Sequence, residues 1–430
     1  MLSGAEMQTK GLYILFASMF IVMSGYGLTL TVLPFHIERM ALGGGATSKE
    51  ISVQVGALTG VFALMQFFFA PFWGAMSDKI GRRPLFFAGL GGNAVFNVLF
   101  GLGSDLVTLY VARILSGIFS SAILPTATAY VADASSDSDR GKSMAWLGAA
   151  TGLGVVAGPV LGAWLSRRSW HPAFHFGIFS VDGFSMPFFT AALLAFVALI
   201  AAVYMLPESL RPVRVAEFEP RTELMEIERI RTSELGKLLR NGSFWKLLYL
   251  SFLSYFSLAL FEGTFALHAQ QVMKFGPAQM GMVFIVCGLV MAVGQGAIVV
   301  WFIDYKKEIL LLAIGSGMVG VALILLMLTE TMTFILIWVG VLAFGMALLI
   351  PTLAALASRR SETEVGTALG LQSAANSLGQ FAGPVTGGFI FVLSIHIPYL
   401  FTAAPLLATA IFLGAKVFLE RGRQDGPHFD

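Results

Sequence analysis

Apolar residues in this chain come in long unbroken runs parted by brief polar stretches, neither alternating nor forming narrow helical stripes. Twelve runs can be drawn, roughly at 11–33, 51–73, 84–104, 106–131, 143–165, 186–206, 244–267, 279–303, 308–328, 332–356, 366–394 and 397–418. A helix needs about 20 mostly apolar residues to cross a bilayer. The pattern therefore predicts an all-α membrane protein with twelve transmembrane helices. The longest polar stretch, 207–243, divides an N-terminal six-helix bundle (1–206) from a C-terminal one with a short tail (244–430). Within that linker Leu224, Ile227, Leu235 and Leu238 fall near helical spacing. This fits an amphipathic helix on the membrane surface, with a solvated charged linker as the alternative.

Composition agrees with the pattern. The chain is 57% hydrophobic and 12% charged, with a formal charge of +2. This excludes a soluble globular protein of 430 residues. It also offers no basic surface for nucleic acid. The first apolar run is too long for a cleavable signal and is expected to act as an uncleaved anchor. Cys287 is the sole cysteine, so no intrachain disulfide is possible.

Charge sets the expected orientation. With the N-terminus inside, 21 of the 27 Lys and Arg residues face the cytoplasm, five face outward, and Arg113 lies within a span. The positive-inside rule then places both termini in the cytoplasm, in what is expected to be a bacterial inner membrane.

The halves repeat. GLGVVAGPVLGAW at 152–164 aligns with SLGQFAGPVTGGF at 377–389, an offset of 225, and ILPT at 123–126 meets LIPT at 349–352. Parallel six-plus-six repeats are one of the two-fold architectures of secondary transporters, which hold substrate near the midplane.

The segment GAMSDKIGRRP, 74–84, concentrates charge between the second and third runs. Gly74 and Gly81 suit a chain-reversing loop, and Pro84 suits a helix start. Its Gly74, Asp78, Gly81, Arg82 and Arg83 resemble the loop signature of the major facilitator superfamily. That resemblance implies that Asp78 meets the positive end of the span starting near Gly366. It also implies that Arg82 pairs with Asp133, so that the cluster latches the cytoplasmic gate.

Other motifs point to the drug:proton antiporter branch, which includes tetracycline and multidrug efflux pumps. LYVARILSGIFSS at 109–121 places Arg113 inside an apolar helix. An intramembrane arginine is a functional hypothesis by default. Arg113 and Gly117 resemble the motif linked to proton coupling, with Ser116 where Gln is usual. Gly154, Gly158, Pro159 and Gly162 resemble the antiporter motif, with Ala163 replacing its last glycine. Gly379, Gly383, Pro384 and Gly387 repeat it, and Gly388 completes it. Both sets also suit close helix packing. GYGLTLTVLP at 25–34 is similar to the branch's first-span signature.

Glu262, in LALFEGTFALH, is the one acid at mid-span. It resembles the span-seven glutamate of bacterial multidrug pumps, which implies a proton carrier tuned by Arg113. Tyr26, Phe256, Phe261, Phe265 and Asn376 are candidates for the cavity wall. Gln372, Asn376 and Gln380 form a polar row suited to helix–helix hydrogen bonding.

Neither a nucleotide site nor a catalytic constellation emerges. GKS at 141–143 lacks the glycine a phosphate loop needs, since position 136 is Ser. His171 and His175 are four apart, but no cysteine or nearby carboxylate completes a metal set. The expectation is a monomeric, non-enzymatic, cofactor-free transporter with the proton as coupling ion. It would export a small amphipathic compound by alternating access. A lipid or lipid-like metabolite flippase and an uncoupled uniporter or uptake facilitator are the alternatives.

Overall fold

The computed structural model describes residues 4–43, 47–135, 140–167, 174–176, 179–181, 183–209, 240, 242–301, 308–359 and 365–424. Thirteen helices run through them. In the first half they are α1 (Gly4–Gly43), α2 (Ser48–Ile80), α3 (Arg82–Leu102), α4 (Leu106–Ser120), α5 (Ile123–Ala134), α6 (Arg140–Arg167) and α7 (Met186–Met205). In the second half they are α8 (Gly242–Met273), α9 (Pro277–Trp301), α10 (Glu308–Met327), α11 (Met332–Arg359), α12 (Val365–Phe391) and α13 (Ile397–Gln424). With α4 and α5 taken as one broken span, twelve spans result. A small antiparallel hairpin, β1 (Phe174–Phe176) with β2 (Phe179–Val181), lies between α6 and α7.

Ten described segments are long and apolar enough to cross a membrane, the α4–α5 pair counting as one of them. The spans outside that set are α6, with a shorter apolar stretch at Trp146–Gly162, and α12. These are the two repeat-related, glycine-rich helices, in which glycine replaces aliphatic side chains. Large side chains such as Phe68, Val107, Trp164, Ile411 and Phe418 are exposed. Hydrocarbon, not water, is the solvent that tolerates such a surface.

Helix ends carry recognisable signals. Thr47 and Glu50 cap α2 reciprocally, and the Asp105 side chain accepts the Thr108 N–H at 2.9 Å to start α4. The segment 74–84 is not a loop, contrary to the sequence expectation. Helix α2 continues to Ile80, and Gly81 alone makes the turn, at φ 111° and ψ 157°. That region of backbone space is essentially glycine's.

The fourth span is also broken where the apolar run predicted continuity. Pro125 has no N–H to donate and its ring crowds the preceding turn, so the helix opens at Ser121–Ala122. The Ala122 N–H bonds to the Phe119 carbonyl instead of that of Ile118. The freed Ile118 carbonyl accepts from the Trp73 indole at 2.6 Å and the Ser121 hydroxyl at 2.7 Å.

Two compact units are present. The first comprises Met1–Arg211, Ala259–Ala292 and Phe381–Ile395. One of its apolar clusters joins Leu15, Met19, Phe86, Leu90, Ile123 and Tyr130. A second joins Val32, Ile37, Val55, Phe100, Leu109 and Phe188 to Leu267 and Phe391. The second unit comprises Pro212–Leu258, Val293–Gln380 and His396–Asp430, built on α10 packed between α11 and α13. The linker 207–243 lies almost wholly outside the described residues, as do His171 and the surroundings of Gly366.

The repeated glycines make the closest helix crossings. A methyl added at Gly158 would sit 2.3 Å from the Ser24 carbonyl oxygen and 2.7 Å from the Gly27 Cα. At Gly154 it would lie 2.4 Å from the Phe20 carbonyl oxygen, and at Gly162 3.2 Å from that of Leu28. So α6 lies backbone-to-backbone on α1. The repeat behaves alike: a methyl at Gly379 would be 2.5 Å from the Phe252 carbonyl oxygen, and at Gly387 2.6 Å from Thr264 Cγ2. Gly383 and Pro384 are buried between these two crossings.

Candidate transport site and charged turn

Within the first unit, six helices bring ionisable and aromatic side chains together. Asp105 fixes the start of α4, and Arg113 follows just over two turns later, buried at 7% exposure. Its guanidinium carbon lies 4.8 Å from the Phe100 ring centre on α3 and 5.3 Å from that of Phe62 on α2. Tyr26 of α1 stacks on Phe62 at 6.2 Å. Glu262, half-buried on α8, and Arg113 both lie within electrostatic reach of the Tyr26 hydroxyl. Cys287 of α9 is within reach of Glu262 as well.

No carboxylate pairs with Arg113 among the described residues, and its Nε is buried without a hydrogen-bond partner. An unpaired charge held out of water costs several kcal/mol. The ring faces offset only part of this, since a desolvated cation–π contact is worth about 2 kcal/mol. The sequence brought Arg113 and Glu262 forward but did not reveal that Tyr26 stacks on the same Phe62 ring that Arg113 lies over.

The other wall candidates separate. Phe261 and Phe265 are fully buried and stack on each other at 5.1 Å, so they fill packing space instead of facing an opening. Phe256 belongs to the second unit, against Phe252 and Phe401. Asn376, in that unit too, has a buried amide oxygen with no partner. Its neighbour on the polar row, Gln372, donates to the Ser251 hydroxyl at 3.3 Å, joining α12 to α8.

The charged turn forms a second constellation in the first unit. Arg82 Nε donates to Asp133 Oδ2 at 3.0 Å, and Nη1 donates to Ser77 Oγ at 2.6 Å and Asp78 Oδ1 at 2.5 Å. Thus α3, α5 and the end of α2 are tied by one guanidinium. Arg83 donates to the Val203 carbonyl at 2.6 Å and lies 5.1 Å over the Phe87 ring. Glu208, just beyond α7, accepts the backbone N–H groups of Arg82 and Arg83 at 3.0 and 3.1 Å. Sequence reading missed Glu208; the available signal was an acid just after the sixth run, facing a helix start that lacks a side-chain cap. Gly74 is helical and meets nothing within 4 Å at its Cβ position.

Two further contacts bring C-terminal helices onto the first six. Gln270 of α8 hydrogen-bonds Glu38 of α1. Methyls added at Gly56 and Gly60 of α2 would strike Pro384 and Val385 of α12, at 2.3 and 2.2 Å.

Repeated bundles of membrane-length helices, crossed through glycine and holding an unpaired arginine in their apolar interior, define a polytopic transporter. The profile described as Major Facilitator Superfamily matches residues 15–362 and 305–428, and the chain belongs to that superfamily. It is similar to Multidrug resistance protein 2 of Bacillus subtilis, 29% identical over 394 residues covering 90% of each chain. It is also similar to the Quinolone resistance protein NorA of Staphylococcus aureus, 24% identical over 412 residues, covering 95% of this chain and 97% of that one. Among solved structures, the human organic anion transporter MFSD10 (TETRAN) shares the fold. The TM-score is 0.66 at 23% identity, over 94% of this chain and 99% of that one.

Proposed function

We propose that this transporter exports small amphipathic compounds of several kinds, driven by proton antiport through alternating access. What carries the reading is Arg113, buried in an apolar bundle without an ion-pair partner among the described residues and lying over the Phe62 ring on which Tyr26 stacks. Similarity to multidrug and quinolone resistance proteins supports the substrate range. Glu262 is the proton carrier in this mechanism. Its carboxylate alternates between a protonated form, favoured out of water, and an ionised form, favoured when Arg113 and Tyr26 turn toward it. Arg82 with Asp78 and Asp133 holds the cytoplasmic gate. The basic-residue asymmetry supports cytoplasmic termini.

Glu262→Gln tests this directly, because the amide keeps shape and hydrogen bonding but cannot ionise. In inside-out vesicles with an imposed pH gradient, uphill accumulation of a dye such as ethidium should disappear in the variant. Continued accumulation driven by pH alone would place the proton carrier elsewhere.

A further inference from the structure

We propose that His36 is a positioning residue for Arg113 and acts through the Phe100 ring. This rests on the reading of Arg113 as the group that tunes proton transfer, and adds to it a residue of α1 that the export mechanism does not otherwise use. His36 is fully buried. Its imidazole centre lies 5.9 Å from the Phe100 ring of α3 and 5.2 Å from the Phe188 ring of α7. The two phenyl rings are themselves 4.7 Å apart. Three helices therefore meet in one triangle of tilted rings, the arrangement aromatic pairs prefer to a flat sandwich.

Phe188 has no room to leave this triangle. A methyl added at Gly101 would sit 3.1 Å from the Phe188 Cβ and 2.9 Å from the Phe189 ring, so α3 already lies close on α7 there. Phe100 is thus flanked by His36 and Phe188, and turning its ring would displace one of them. Arg113 depends on that fixed orientation, because its guanidinium carbon stands 4.8 Å from the Phe100 centre. Its Nε lacks a hydrogen-bond partner and no carboxylate pairs with it among the described residues, which leaves the Phe62 and Phe100 rings to hold it. A ring attracts a cation only when the cation lies over its face. Tilting Phe100 would withdraw that attraction without any change at Arg113 itself. The role asks position 36 for a flat ring, and a proton on that ring plays no part in it.

The first test is a mutant cycle read by thermal melts of the purified full-length chain in detergent. His36→Ala should lower the melting temperature less in an Arg113→Gln background than in the wild type, because the contact it supports is already gone. In a Phe100→Leu background that difference should vanish. His36→Gln, which stays polar but has no ring, carries the cycle if the Ala variant is not monodisperse. Additive melts, or a coupling that survives Phe100→Leu, overturn the proposal. The second test asks what position 36 must be. Uphill, pH-driven accumulation of ethidium in inside-out vesicles should fall roughly ten- to a hundredfold in His36→Gln, the scale of a misplaced group. His36→Phe should recover most of that loss. A Phe variant no better than the Gln variant would assign His36 to hydrogen bonding or proton transfer and overturn a role based on its ring. Wild-type vesicles that concentrate no dye sink the export reading, and the melts still decide whether His36 positions Arg113.

Discussion

Glu208 and Arg82 are joined through the backbone and not through their charges. The carboxylate takes the amide protons of Arg82 and Arg83, while the Arg82 guanidinium is engaged by Asp78, Asp133 and Ser77. Glu208 thereby does for α3 what a side-chain N-cap does elsewhere, from a distant part of the chain. Replacing it by Ala should lower stability by about 1 kcal/mol, the usual worth of a helix cap. A thermal melt in detergent reads the loss. Glu208→Gln, which still accepts hydrogen bonds, should recover much of it, and equal melts for the two variants would argue against the cap.

Gly81→Ala should be harsher. Its backbone sits at φ 111° and ψ 157°, and an added methyl would lie 2.6 Å from Glu208 Oε2. The strained backbone alone is worth roughly 1–3 kcal/mol. Combining Gly81→Ala with Glu208→Ala removes the collision and leaves the strain. The double variant should then be more stable than the sum of the single effects predicts, which a double-mutant cycle measures.

Two glycines that look alike in sequence should behave oppositely. Gly158→Ala forces α6 away from α1 and should cost about 1–3 kcal/mol, with reduced yield of folded protein. Gly74→Ala meets open space and should melt within about 0.5 kcal/mol of wild type. Similar melting temperatures for both would contradict the described crossing.

Orientation can be read with cysteines at two exposed positions, Lys49 and Arg240, in a Cys287→Ala background. In intact cells an impermeant maleimide should label Lys49→Cys and leave Arg240→Cys untouched. Labelling of the second position alone would invert the proposed topology.

Much of the fold was legible because hydrocarbon imposes a simple code: long apolar runs, charges at their ends, glycine where helices cross. The glycine repeats at 154–162 and 379–387 announced close helix packing, and the structure supplied the partners, α1 and α8. The Arg82–Asp133 pair followed from resemblance. Elsewhere tertiary context decided. An apolar run such as 106–131 gives no warning of a break, although Pro125 was there to be read. The polar letters of 74–84 look like a loop, yet all but one position is helical, and the Asp78–Arg82 ion pair bridges the turn at Gly81 from the end of α2 to the start of α3. Phe261 and Phe265 could be placed on a helix but not on a side of it, since every face of a buried membrane helix is apolar. Glu208 stayed hidden because its partners are backbone amides, which carry no signature in sequence.

The opening at Ser121–Ala122 gives the fourth span two rods where most spans have one. Arg113 rides on the first rod and Asp133 on the second. Pro125 has already removed the hydrogen bond that a bend there would break, and Trp73 already occupies the carbonyl that was released. At that point the Ala122 N–H bond to the Phe119 carbonyl still links the two rods. The fourth span is built as an elbow, with the buried cation on the upper arm and the ion pair of the charged turn on the forearm.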